Sequence, residues 1–118
     1  MKFNINQDQK DLRNFQRKMR KLKRFGKEGF ITVAQNAAAM ATKLAQSRVP
    51  VRTGDLKRSI HAKRDGDSVF IAAEMDYAGF VEFGTKRQKP KPYFYNSIRD
   101  ALKKVTSDMD KEFNKYKR

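Results

Sequence analysis

A chain of 118 residues with no cysteine has the length of one domain, and disulfides and thiolate metal sites are excluded. Its single histidine leaves no His-based zinc site and few general-base arrangements at neutral pH. The formal charge of +15 is concentrated at the two ends: residues 1–30 carry ten Lys/Arg against three Asp/Glu, residues 31–85 seven against six, and residues 86–118 eleven against four. Basic flanks of this kind suit nucleic acid, acidic protein or an anionic surface, or serve as solvated faces.

Residues 1–30 lack the roughly 7–15-residue apolar core of a signal peptide. The longest apolar run, Ala37 to Ala41, falls far short of the ~20 residues that cross a bilayer. The expectation is a protein made and used in the cytoplasm, or inside something assembled there, with no membrane partner.

In chain order, residues 7–25 read as a basic amphipathic helix. Leu12, Phe15, Met19 and Leu22 form its apolar stripe, and Arg13, Arg17, Lys18, Arg20, Lys21, Lys23 and Arg24 lie around it. Gly26 and Gly29 break the pattern, and a second helix runs from Phe30 to Arg48. Its stripe of Phe30, Ala34, Ala37, Ala41 and Leu44 is alanine-rich, which favours helix and lets a neighbour approach closely. Pro50 ends it. Leu56 to Lys63 is expected as a strand, with Leu56, Ile60 and Ala62 on one face. Asp65-Gly66 turns the chain into a second strand, Ser68 to Glu74, centred on Val69, Phe70 and Ile71.

Asp76 is placed to cap a short helical turn through Tyr77, Phe80, Val81 and Phe83, ended by a left-handed Gly84. Lys86, Arg87, Gln88, Lys89, Pro90, Lys91 and Pro92 then read as an extended basic arm. A long final helix spans Tyr93 to Tyr116, with Phe94, Ile98, Leu102, Val105, Met109 and Phe113 along one side. The fold class is α+β: two N-terminal helices, a β-hairpin that a short third strand can extend, a short helical turn and a long C-terminal helix. All of it is read as one domain over 1–118, with a basic helix at 1–28, a core at 29–94 and the C-terminal helix at 95–118.

No catalytic, metal or cofactor set emerges from these residues. His61 lies on the polar face of a strand with no Asp, Ser or Cys constellation that spacing places beside it. Asp65 and Asp67 flank a turn glycine but lack the remaining ligands of a calcium loop. Thr53-Gly54-Asp55 has no phosphate-loop context and reads as a turn. Glu82 is the one acid in the apolar stretch Tyr77 to Phe83. Its burial would call for a cation such as Arg52 or Arg58, or for backbone donors. No nucleic-acid recognition module is visible, and Phe15, Phe25, Phe30, Phe94 and Phe113 fall on apolar stripes rather than on a stacking platform. The residues thus describe an assembly or binding protein rather than an enzyme.

Three ordered segments carry a resemblance. They run from Val49 through Pro50, Val51, Arg52, Thr53, Gly54, Asp55, Leu56, Lys57, Arg58 and Ser59 to Ile60; from Asp76 through Tyr77, Ala78, Gly79, Phe80, Val81, Glu82, Phe83 and Gly84 to Thr85; and from Pro90 through Lys91, Pro92 and Tyr93 to Phe94. Together they resemble the neck, or tail-component, proteins of long-tailed bacteriophages, typified by the tenth gene product of a lambdoid siphophage. Tyr93 stands where that family more often places Phe, and Phe94 follows one position later.

The resemblance implies a virion structural protein of the neck, a ring-forming subunit for tail completion and head–tail joining, assembled in the host cytoplasm. Its implied partners are further copies of itself in a homo-oligomeric ring, adjacent head-connector and tail proteins, and genomic DNA passing through the channel. Pro50, Thr53, Gly54, Leu56, Ser59, Ile60, Tyr77, Ala78, Glu82, Phe83, Gly84, Thr85, Pro92 and Phe94 would be its fold-building signature. Lys86, Arg87, Lys89 and Lys91 are the candidate docking arm. The second reading, from the charge alone, is a non-specific DNA- or RNA-binding protein.

Overall fold

The computed structural model describes residues 1–5, 13–23, 26–50 and 54–116. Leu12, Arg24, Phe25, Val51, Arg52 and Thr53 lie outside the described residues, as do the side chains of Leu22, Lys23, Phe30, Met109 and Phe113. The order of elements is β1 (Lys2–Asn4), α1 (Arg13–Lys23), α2 (Lys27–Arg48), α3 (Asp55–Ser59), β2 (Ile60–Asp65), β3 (Ser68–Ala73), α4 (Ala78–Phe83) and α5 (Phe94–Tyr116). The class is α+β.

The three strands form an antiparallel sheet in the order β1-β3-β2. The third strand thus comes from the N-terminus, where Phe3 pairs with Ile71 and buries on the core side. Only three residues long and set in charged sequence, β1 gives too few alternations to register as a period. On β3, Val69, Ile71 and Ala73 bury against the helices, while Phe70 on the opposite face lies under the Lys2 ammonium, 4.1 Å from the ring centroid. Beyond Ile60, β2 leaves the core, so Ala62 is exposed although it shares a face with buried Ile71.

Helix α2 is the spine of the molecule, packed against α5, α1 and the sheet. Ala34, Ala37, Ala38, Ala41 and Ala45 are all fully buried, so backbones rather than long side chains meet along this helix. The buried face is wider than the expected stripe and also takes in Ile31 and Val49. On α5 the facing residues are Phe94, Ile98, Ala101, Leu102 and Val105. Arg48, in the last turn of α2, closes this pair by a 2.7 Å contact to Asp100 and a 3.4 Å hydrogen bond to the Ser97 hydroxyl. Phe15 and Met19 bring the apolar side of α1 into the same core.

Two boundaries differ from expectation. Gly26 precedes α2, but Gly29 lies within it, three residues in, where the helix already carries the backbone. Leu56 to Ser59 is helical and not a strand. Gly54 takes left-handed dihedrals (φ 79°, ψ −5°) and turns the chain into α3, and the strand begins only at Ile60. The alternation over so few residues suited both structures, and Leu56 and Ile60, four apart, are buried by the helix–strand junction.

Candidate docking face

Between α4 and α5 the chain makes a closed structure rather than a free arm. Gly84 ends α4 with φ 77° and ψ 175°, positive as expected but extended rather than left-handed helical. A β-carbon there would lie 2.7 Å from the Pro90 nitrogen and 2.9 Å from the Gln88 oxygen, so only glycine lets the loop fold back this tightly. The Thr85 hydroxyl accepts from the backbone N–H of Arg87 and Gln88, at 3.2 and 3.1 Å, forming a local turn. The Lys91 N–H donates to the Val81 carbonyl at 2.9 Å, which pins the end of the loop to α4. The expected extended arm is therefore a folded basic loop, and Lys86, Arg87, Lys89 and Lys91 are all exposed on it. None of the four forms an ion pair with the described residues.

Glu82 supplies the other half of this anchorage. It is buried, and its carboxylate accepts from the backbone N–H of Phe94 at 2.7 Å and of Tyr95 at 3.1 Å. These are donors of the first turn of α5, which have no acceptor within their own helix, and the positive end of the helix dipole faces the charge. Of the two kinds of partner expected for Glu82, backbone donors fill the role. Arg58 is instead ion-paired with Asp55, its neighbour on α3. Asp76 makes no capping hydrogen bond to α4, whose N-cap position is Tyr77.

Within α4, Ala78 and Glu82 face inward, four residues apart, and this turns Phe80 and Phe83 outward at 62% and 66% exposure. From the sequence, Tyr77, Phe80, Val81 and Phe83 are expected only as a short helical turn, with no side of it assigned to the outside. The Ala78–Glu82 spacing was the signal that the helix shows its phenylalanines to the outside. Phe83 leans on Tyr95, 6.0 Å between ring centroids, and Tyr95 meets Phe3 edge-on at 6.2 Å. Next to α4, a cleft of about 610 Å³ is walled by Pro50, Gly54, Leu56, Tyr77, Phe80, Val81 and the basic loop.

The signature residues thus divide. Pro50, Gly54, Leu56 and Tyr77 come together at this cleft with Arg87, Lys89 and Lys91. Ala78, Glu82, Tyr93 and Phe94 are interior, with the Tyr93 hydroxyl donating to the Ala78 carbonyl at 3.3 Å and the Tyr93 and Phe94 rings edge to face at 6.2 Å. Both aromatics of the Tyr93-Phe94 pair are therefore anchors. Ile60 is buried and the Ser59 hydroxyl donates back to Leu56, away from the loop. Pro92 is exposed.

His61 is half-buried, with Nε2 3.3 Å from Glu74 and Nδ1 2.9 Å from the Ser59 carbonyl oxygen. Glu74 also accepts from Lys63 at 3.0 Å, and that hydrogen bond is the main cause holding its carboxyl below the usual range. Among the described residues no cluster of His, Cys, Asp or Glu could hold a metal ion, and no helix is long and apolar enough to cross a membrane.

The family model for the bacteriophage HK97-gp10-like tail component matches residues 13–84. The chain belongs to this family. No match is found among curated proteins or among solved structures. The match runs from α1 to Gly84, which covers the helical spine, strands β2 and β3 of the sheet, and α4, and leaves out β1. The basic loop and α5 follow it. Membership in a tail-component family makes the protein a phage tail component and implies contact with other proteins of the virion.

Proposed function

We propose that this tail component is a ring-forming subunit of the phage neck, acting in tail completion and head–tail joining. The observation that carries the reading is α4, a six-residue helix of a tail component that exposes two phenylalanines beside a loop whose cations form no ion pair among the described residues. Exposed aromatic surface rimmed by charge is the composition of a protein interface. A ring requires a different patch on each side of the subunit. The basic loop docks on acidic surfaces of the adjacent head-connector and tail proteins, and genomic DNA passes through the ring. The site of action is the virion, after assembly in the host cytoplasm.

The test is a reconstruction of virions carrying this protein. Copies arranged around the axis at the head–tail junction are expected, and a junction without them overturns the reading. Lysates lacking the gene should hold filled heads and separate tails, and joined, infectious particles in them would count equally against it.

A further inference from the structure

Resting on that reading, we infer that the cleft between α3, α4 and the basic loop receives an acidic segment of a neighbouring virion protein, which inserts one apolar side chain. Its inner wall is aliphatic, with Leu56 buried and Val81 half-buried, and Phe80 and Tyr77 stand exposed at its edge. About 610 Å³ is ample for one large side chain with its flanking backbone. Arg87, Lys89 and Lys91 stand on the loop side. Among the described residues, the one acid of the lining, Asp55, is engaged by Arg58, and Arg87, Lys89 and Lys91 form no ion pair, which leaves them for an outside partner. The walls are preformed by the Val81–Lys91 and Thr85–Gln88 backbone bonds, which lowers the ordering cost of binding.

The charge argues against the other occupants. A second copy brings another +15 toward the cationic wall, whereas an acidic segment is attracted to it. Nucleic acid would call for a track of phosphate contacts and successive stacking faces, and here three cations stand on one side of a pocket whose inner wall is aliphatic.

The experiment titrates the full chain into fluorescent probes and follows anisotropy. The probes are a ten-residue peptide with acidic residues around a central leucine, the same peptide with serine at the centre, and a twelve-residue oligothymidylate. The leucine peptide should bind at least tenfold more tightly than the serine peptide. Phe80→Ser, or the triple change Arg87→Ser, Lys89→Ser and Lys91→Ser, should weaken it tenfold or more. Phe83→Ser, outside the cleft lining, should leave it unchanged. With the unaltered protein, amide NMR shifts on adding the leucine peptide should centre on Leu56, Tyr77 and Val81, a readout independent of any variant's folding.

Equal binding of the two peptides, shifts centred elsewhere, or tighter oligothymidylate binding that Phe80→Ser abolishes would each overturn the inference. Self-association of the free protein abolished by Phe80→Ser would assign the cleft to a second copy and also overturn it. The virion reconstruction separates the two proposals. Copies at the junction with an empty cleft would sink this inference alone, and leucine-dependent binding by a protein absent from the junction would sink the neck assignment alone.

Discussion

The carboxylate of Glu82 on α4 accepts the backbone N–H of Phe94, the first residue of α5, at 2.7 Å. One buried side chain thereby fixes the distance between two helices and closes the basic loop between them. Replacing Glu82 with Gln keeps the shape but removes the charge facing the helix N-terminus, and only one amide oxygen remains for two donors. The expected loss is about 2 kcal/mol of folding stability, measured as a lower urea midpoint. Arg58→Ala, which removes the surface pair with Asp55, should cost about 0–1 kcal/mol. Equal losses for the two variants would mean that Glu82 depends on a cation after all.

That contrast marks how far the sequence was legible. The long elements could be read, because α2 and α5 repeat their apolar residues over several turns and Asp65-Gly66 turns the hairpin. The partner of Glu82 could not, because backbone donors leave no letter in the sequence, whereas arginines do. β1 and α3 escaped for a related reason. At three and five residues they are too short to show a period, and each is stabilised by what it packs against. At the docking face, the basic residues and the aromatic residues were both visible as types. That the loop folds back on α4 depends on contacts between Gly84, Pro90, Val81 and Lys91, and the outward turn of Phe80 and Phe83 follows from the inward side chains of Ala78 and Glu82.

Gly54 and Gly84, both at positive φ, should differ in the cost of a β-carbon. At Gly84 a β-carbon would strike the backbone at Pro90 and Gln88, which cannot move without opening the loop. At Gly54 the nearest atom is the Arg58 guanidinium, 2.8 Å away, the mobile end of a flexible side chain. Gly54→Ala should therefore cost about 1–2 kcal/mol, the penalty of a left-handed alanine. Gly84→Ala should cost more, and should raise amide exchange across residues 85–91. Paired thermal melts and hydrogen exchange check both, and a milder effect at Gly84 would refute the closed-loop geometry.

Tyr93 makes alkaline stability a test of packing. Burial is the main cause raising its phenol pKa well above 10, and the charge of Glu82 adds to it. A folded-state value above the unfolded one means that stability is fully present below pH 10. Above that the unfolded chain gives up the proton first, so stability falls as pH climbs through and beyond the unfolded value. Denaturation midpoints should decline above pH 10, and Tyr93→Phe should flatten the decline. An unchanged slope in Tyr93→Phe would show that Tyr93 is not the group responsible.

The last prediction concerns the charge of the basic loop. It is tempting to direct every cation of a +15 protein at the DNA in the channel. A lumen that held phosphates at many points would grip a genome that has to slide, since affinity climbs steeply with each phosphate neutralised. The loop is better suited to a static partner. Its four cations form no ion pair among the described residues, its backbone is tied to α4 and to itself, and it borders an apolar cleft. Such a surface sets the register and steers the approach of an acidic neighbour. Replacing Lys86, Arg87, Lys89 and Lys91 with Ser should leave the fold intact, because all four side chains are exposed and form no ion pair among the described residues. Joining of purified heads and tails should slow at least tenfold at low salt, where steering is strongest. The gap from the unaltered protein should narrow as added salt screens the loop. Joining rates that match at every salt concentration would make the loop a solvated surface and remove it from docking.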